Sequence, residues 1–451
     1  MLVYELGERM KTNLEDLSPV KKKLEIEIEA GEVAKKIDEA YRDLKKEVKL
    51  PGFRPGRAPR KLLERQFGDQ VMEDVTRKLI NETFFKAVEE TKISPLNMPV
   101  FENGILKAGQ NFSYSAVMEV RPEFDIKDYI GLEVEKEICA VSDEDVDKQL
   151  EEIRKSRGTL TSISEDRGIE DDDYAVIEYR GFEGDEPLEG VEGSNYLIQV
   201  GSHSFHRDFE NALIGLKKGD DSVVKVGFEE NHSQPKLAGK SVRFEVKVED
   251  IKEIILPDLD DGFAKDLGAD FESLNELKRK IKENLQSQEE SRIDRELKGR
   301  LMDKISESVD FELPESLVES ELENGVERIR QSLLRSGSNL EKAGLDEGRL
   351  REDLAPSSKK RVKEMLILGE IAKNADLTVD EAELAEGFRE MSVGIGQEPE
   401  IIRKYYEANN LLESFREKLL EEKTLNYLVE NAKIIDAKKV EKGKPEQEKR
   451  S

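Results

Sequence analysis

Residues 24–29 read Leu-Glu-Ile-Glu-Ile-Glu. Alternation of apolar and acidic positions is the period of a strand with one buried face, so a strand is predicted there. The period then changes. Val33, Ile37, Tyr41, Leu44 and Val48 recur at spacings of 4, 4, 3 and 4, which is one face of an amphipathic helix. Pro51-Gly52 stops that helix, because proline removes a donor and glycine frees the backbone. A second helix is predicted from about Pro59, and a third over about 69–91 with Val71, Val75 and Leu79 on one side. Phe112, Tyr114, Ala116, Met118 and Val120 alternate and predict a strand. The first unit is therefore α+β and ends near Arg121-Pro122. Residues 123–155 read as a strand-containing connector running into a helix.

Over 156–254 the pattern is that of a compact, mostly antiparallel sheet. Tyr174–Arg180, Ser222–Phe228 and Ser241–Ile251 are strand-like, and glycines punctuate the turns between them. In the last strand Val242, Phe244, Val246 and Val248 face one side, and Arg243, Glu245, Lys247 and Glu249 the other. One short helix is predicted near 205–213. From about 258 onward the chain is almost all helical. Leu322, Val326, Ile329 and Leu333 step by 4, 3 and 4. Val362, Met365, Leu366 and Ile371 form another face, and Phe415 with Leu419 a third. Pro314, Pro356 and Pro399 stand where helices should begin or break. Thin apolar stripes beside broad polar faces predict elongated arms, with a hinge at Phe311–Pro314. The expected domains are 1–122, a connector 123–155, 156–254, a helical 255–437, and a disordered tail 438–451 without apolar period.

Composition narrows the chemistry. The chain has 451 residues, enough for about three domains. Lys+Arg number 73 against 101 Asp+Glu, a formal charge of −28. Trp is absent and aromatics are 6%, which excludes a large aromatic platform for stacked bases. A single cysteine, Cys139, excludes an intramolecular disulfide framework and leans mildly to the cytosol. No run approaches the roughly 18 apolar residues of a membrane span. The N-terminal stretch lacks the basic and apolar regions of a secretory signal, and Met10 offers an alternative start. Walker, HExxH and GxSxG motifs are absent. His203-x-x-His206 lacks a third ligand at matching spacing, so neither metal nor cofactor is expected.

The sharpest local anomaly is Lys49–Lys61, KLPGFRPGRAPRK. It holds five basic and no acidic residues, +5 in a chain of −28. Its prolines and glycines make it a turn-rich loop, and Phe53 sits at its centre. A projecting basic loop with one aromatic suits phosphate backbone and a protein surface together. Such a loop is otherwise a solvated link between two helices.

Gly52-Phe53-Arg54-x-Gly56-x-x-Pro59 resembles the ribosome-docking motif of the trigger factor family. The resemblance spans nearly the whole chain: an α+β head, a sheet domain of about a hundred residues, and elongated helical arms. It implies docking on the large ribosomal subunit, against the protein beside the exit tunnel and adjacent rRNA. Lys49, Gly52, Phe53, Arg54, Pro55, Gly56, Arg57 and Pro59 would carry it. The remaining partners it implies are nascent or unfolded polypeptides, with no DNA and no membrane, and a homodimer off the ribosome is compatible with it. The location implied is the cytoplasm, partly on ribosomes.

The middle domain resembles an FKBP-type peptidyl-prolyl isomerase. That chemistry needs no nucleophile, because the barrier to X–Pro rotation is amide resonance. A dry apolar pocket disfavours the charge-separated resonance form, and a backbone N–H can hold the twisted amide. By resemblance the pocket maps onto Tyr179, Leu188, Tyr196, Phe205, His206, Phe209, His232 and Phe244. Leu188 stands where the family more often has Phe, His232 where it usually has Tyr, and Asp208 where Gly is common. The leading expectation is an ATP-independent, ribosome-associated chaperone that also isomerises X–Pro bonds. A holdase with a catalytically weak sheet domain is the alternative, favoured by the departures at Leu188 and His232. A helical scaffold without folding role is a third class, and it would not require the basic loop.

Overall fold

The computed structural model describes residues 2–436 apart from 7–9, 49, 52, 54–55, 165, 231–236 and 269–270. The tail expected over 438–451 lies outside them. The chain divides into two compact units, Met1–Lys136 with Arg295–Ser451, and Glu137–Asp294.

The first unit opens with β1 (Leu2–Leu6), β2 (Met10–Asp16), β3 (Lys21–Ile28), α1 (Ala30–Glu47), α2 (Arg60–Thr91), β4 (Val100–Asn103) and β5 (Phe112–Glu119). The strands make one antiparallel sheet in the order β1-β2-β3-β5-β4. Leu24, Ile26 and Ile28 of β3 and Phe112, Tyr114, Ala116 and Met118 of β5 are buried with Val33, Ile37 and Tyr41 of α1. The alternation read from the sequence is thus the sheet's core face. Where two helices were predicted after Pro59, there is one helix of 32 residues. Gly68 does not break it: an interior glycine costs only about 0.5–1 kcal/mol, and Leu63, Val71, Val75 and Leu79 keep both halves in one core. β6 (Glu133–Lys136) closes this part of the chain.

The second unit starts with α3 (Asp143–Ser156), whose first turn is capped reciprocally by Ser142 and Asp145. Then come β7 (Thr159–Ser162), β8 (Tyr174–Glu183), β9 (Glu186–Gln199), α4 (Arg207–Leu213), β10 (Asp221–Gly227), β11 (Ser241–Ile255), α5 (Asp261–Leu267) and α6 (Leu274–Ser308), whose residues from Arg295 on belong to the first unit. The sheet runs β10-β11-β8-β9 with β7 on β11, antiparallel throughout. Val242, Phe244, Val246 and Val248 of β11 are buried, and a register shift after Val248 brings Ile251 to the core as well. Val146 and Leu150 of α3 pack with Phe263 of α5 and Leu277 and Ile281 of α6.

The rest of the first unit holds α7 (Glu315–Arg335), α8 (Glu347–Asn374), α9 (Glu381–Ile395), α10 (Pro399–Ala408), α11 (Leu412–Glu430) and β12 (Lys433–Asp436). Pro314 and Pro399 sit at helix starts as predicted. Pro356 does not break its helix but lies inside α8, on an exposed side where water can take the freed carbonyl. Arg351 of α8 pairs with Glu319 and Glu323 of α7. Leu384, Phe388, Ile402 and Phe415 bury a small core among α9, α10 and α11. At the expected hinge, Phe311 stacks on Phe124 with centroids 3.9 Å apart. The run of helices ends in a strand the sequence did not announce: β12 pairs in parallel with β6, Lys433 opposite Glu133. The architecture is α+β and multidomain.

Candidate functional site

Two constellations answer to the expected chemistry. The first lies on the sheet of the second unit. Tyr179 projects from β8, Leu188 and Tyr196 come from β9, Phe244 from β11 and Phe209 from α4, while Phe205 and His206 precede α4. Tyr179 is the hub. Its ring lies 5.4 Å from Tyr196, 5.7 Å from Phe205, 6.4 Å from Phe209 and 6.2 Å from Phe244, mostly edge to face. Phe205 lies 4.5 Å from Phe209, which is itself 5.3 Å from Phe244. Edge-to-face geometry is the arrangement aromatic quadrupoles prefer.

The floor and rim differ. Phe209 and Phe244 are fully buried. Tyr179, Leu188, Phe205 and His206 are half-buried, and Tyr196 is 41% exposed. The result is an apolar bowl whose upper walls meet solvent. Gly193, opposite Tyr179 in the β8–β9 register, makes room for it, since a Cβ there would stand 2.7 Å from the ring. Burial pushes the Tyr179 hydroxyl above the ordinary phenol value, and Tyr196 adds to the effect, so the bowl carries no charge from it at neutral pH. His206 caps α4, its Nδ1 accepting the Asp208 N–H at 3.2 Å. His232 lies outside the described residues.

Sequence reasoning missed two members. Phe228 is buried with its ring 5.4 Å from His206 and 6.4 Å from Phe244. The alternation Val224, Val226, Phe228 was the signal that could have found it. Glu210 gave no signal. It is fully buried, and its carboxylate accepts N–H bonds from Gly201, His203 and Phe205.

The second constellation is the junction of α1 and α2. Phe53 is 41% exposed. Gly56 adopts φ +81°, a left-handed turn that favours glycine, and donates its N–H to the Lys45 carbonyl at 3.0 Å. Ala58 is buried and anchors the loop, and Pro59 is the N-cap of α2. Lys49, Gly52, Arg54 and Pro55 lie outside the described residues. Arg60 is engaged: it pairs with Asp38 and Glu64 and lies 5.0 Å over the Tyr41 ring. Arg57 and Lys61 are exposed and make no ion pair among the described residues, and neither do Arg42, Lys45 and Arg65 on the flanking turns. These three neighbours extend the cationic surface beyond the segment singled out in the sequence.

An antiparallel sheet on a short helix, with an aromatic bowl between them, is the setting in which the family comparison places a prolyl isomerase domain. Residues 165–249 match the family described as FKBP-type peptidyl-prolyl cis-trans isomerase. Residues 10–153 match that described as bacterial trigger factor protein, and 273–430 its C-terminus. The trigger factor of Syntrophotalea carbinolica is 36% identical over 442 residues, 97% of this chain and 100% of that protein. That of Geotalea uraniireducens is 34% identical, covering 96% and 100%. A solved structure of the trigger factor chaperone covers 93% of this chain at 23% identity and a TM-score of 0.46. The chain belongs to the trigger factor family: it is a chaperone with an FKBP-type domain and peptidyl-prolyl cis–trans isomerase activity. No helix among the described residues is long and apolar enough to cross a membrane.

Proposed function

We propose that the protein docks on the large ribosomal subunit in the cytoplasm, beside the exit tunnel, and holds nascent chains without ATP while isomerising their X–Pro bonds. Residues 1–122 dock, 123–155 connect, 156–254 isomerise and 255–437 hold the client. The observation that carries the reading is the α1–α2 junction. In a chain of −28, it offers an exposed Phe53 and, on the same loop and the adjoining helix ends, cations that make no ion pair among the described residues. Elsewhere acidic surface repels RNA, so attraction is confined to this end. Arg57 and its neighbours meet phosphate, and Phe53 meets the adjacent protein.

Client holding falls to exposed apolar side chains at the ends of α9 and α10. Val393 is 87%, Ile395 54%, Ile401 57% and Tyr405 61% exposed. Several such weak contacts on one polypeptide sum to useful avidity. In the aromatic bowl, the prolyl ring lies among Tyr179, Tyr196, Phe205 and Phe244, and desolvation weakens the amide resonance that opposes rotation. The His206 N–H, which has no acceptor among the described residues, is the donor for the twisted amide. Leu188 and His206 complete the walls.

Replacing Phe53, Arg54 and Pro55 by Ala tests the docking reading, since little of the loop belongs to the core. Ribosome co-sedimentation should vanish while circular dichroism and isomerase activity persist. Undiminished co-sedimentation of the folded variant overturns the assignment.

A further inference from the structure

Phe205 is a wall of the bowl that no regular element carries. It stands at the end of the loop 201–206, and that loop is organised around one side chain. Glu210, on α4, has no solvent exposure. Its Oε2 accepts N–H bonds from Gly201 at 3.0 Å and His203 at 2.8 Å, and its Oε1 accepts one from Phe205 at 3.0 Å. The nearest cation-capable group is the His203 Nδ1, 3.8 Å away on a ring more than half exposed. Backbone dipoles therefore do most of the solvation of this buried carboxylate.

The loop's shape answers to that acceptor. Gly201 has φ +90° and His203 φ +56°. These left-handed positions turn the alternate N–H groups of 201, 203 and 205 inward, forming a nest closed on an anion. A non-glycine residue at such a φ persists where surrounding bonds over-determine it, and the Glu210 carboxylate supplies them. Phe205 is then held against four rings, those of Tyr179, Tyr196, Phe209 and Phe244.

We infer that Glu210 is a positioning residue of the isomerase, holding the 201–205 loop by three backbone hydrogen bonds so that Phe205 stands as a fixed wall of the prolyl pocket. The inference rests on reading the aromatic bowl as that pocket. Fold alone does not demand an anion here, because α4 is already tied down by Phe209 and Leu213 in the core. The role is to fix geometry before substrate arrives, which matters most where the amide twists.

The test uses the full chain as Glu210→Gln, with a short X–Pro peptide as substrate and Tyr179→Ala in parallel. An amide keeps the size but turns an NH2 toward backbone donors. The expected result is a fall in kcat of about 10–100-fold with KM changed far less, as for a displaced positioning group. Hydrogen exchange should show the amides of Gly201, His203 and Phe205 losing protection while those of β11 keep theirs. An unchanged kcat in folded Glu210→Gln, beside an inactive Tyr179→Ala, overturns the role of Glu210 and leaves the pocket standing. Activity retained by Tyr179→Ala overturns the pocket and the positioning role with it. If Glu210→Gln does not fold, Glu210→Asp decides: it keeps the charge one methylene short, and a kcat equal to the parent's while the three amides lose protection refutes the inference.

Discussion

On the docking proposed above, the salt dependence of ribosome binding is set by the cations at the α1–α2 junction. Arg42, Lys45, Arg57, Lys61 and Arg65 make no ion pair among the described residues. Each that meets a phosphate releases counterions and steepens the slope of log K against log salt by about 0.7–0.9. These five contribute about −4 to the slope, a factor of about 250 in affinity between about 50 and about 200 mM salt. Removing two, in Lys61→Ala/Arg65→Ala, makes the slope shallower by about 1.6 and the loss over the same range about 9-fold smaller. Arg60 supplies the internal control. Its guanidinium is already held by Asp38, Glu64 and the face of Tyr41, so Arg60→Ala should leave the slope where it was. The assay is co-sedimentation of the full-length protein with ribosomes across a potassium chloride series. Parallel lines for the parent and the double variant would refute the reasoning, as would an Arg60→Ala slope reduced as much as the double variant's.

Two further outcomes test the second unit and the arms. Burial pushes the Asp173 carboxyl up, but the Arg167 guanidinium and the Glu170 N–H outweigh it and hold it below the ordinary carboxylate range. Its folded value is thus depressed, and the stability it contributes is full above about pH 4 and lost as pH falls further. Asp173→Asn should cost about 1.5–3 kcal/mol at pH 7 and flatten the decline in denaturation midpoint toward pH 3; an equally steep decline would contradict the assignment. Phe388, fully buried against Phe415 at 4.6 Å and Tyr406 at 5.5 Å, should cost about 3–5 kcal/mol when cut to Ala. The variant should lose suppression of client aggregation while isomerising a short peptide as before, and a matching loss of both would show the arms and the isomerase to be one functional body.

Period carried most of the fold. β3 and the first half of β11 alternate because one face is buried and the other is not, and α1 shows its buried face at intervals of four. β9 was invisible: Glu186–Gln199 carries Gly190 and Gly193, three glutamates and few apolar residues. It is a strand because β8 pairs with it, a tertiary cause that leaves no local mark. Pro356 misled in the opposite direction, since its missing N–H matters little on an exposed helical face. The aromatic bowl was legible only through resemblance; each ring alone reads as an ordinary core residue of a small sheet. Glu210 was not legible at all. A charged residue on a predicted helix reads as solvated, and nothing in the sequence says that three N–H groups will converge on it.

The parallel pairing of β6 with β12 has a consequence in time. Glu133 faces Lys433, so the two halves of this small sheet leave a ribosome about three hundred residues apart. At about 5–20 residues per second, β6 waits some 15–60 s for its partner. All of Glu137–Asp294 is made in that interval, long enough for an inserted unit with its own core to fold. This chain is therefore itself late to finish folding during its own synthesis. Its β6 edge, unmatched through most of its own synthesis, is the kind of segment that earlier-made copies, docked as proposed above, would cover.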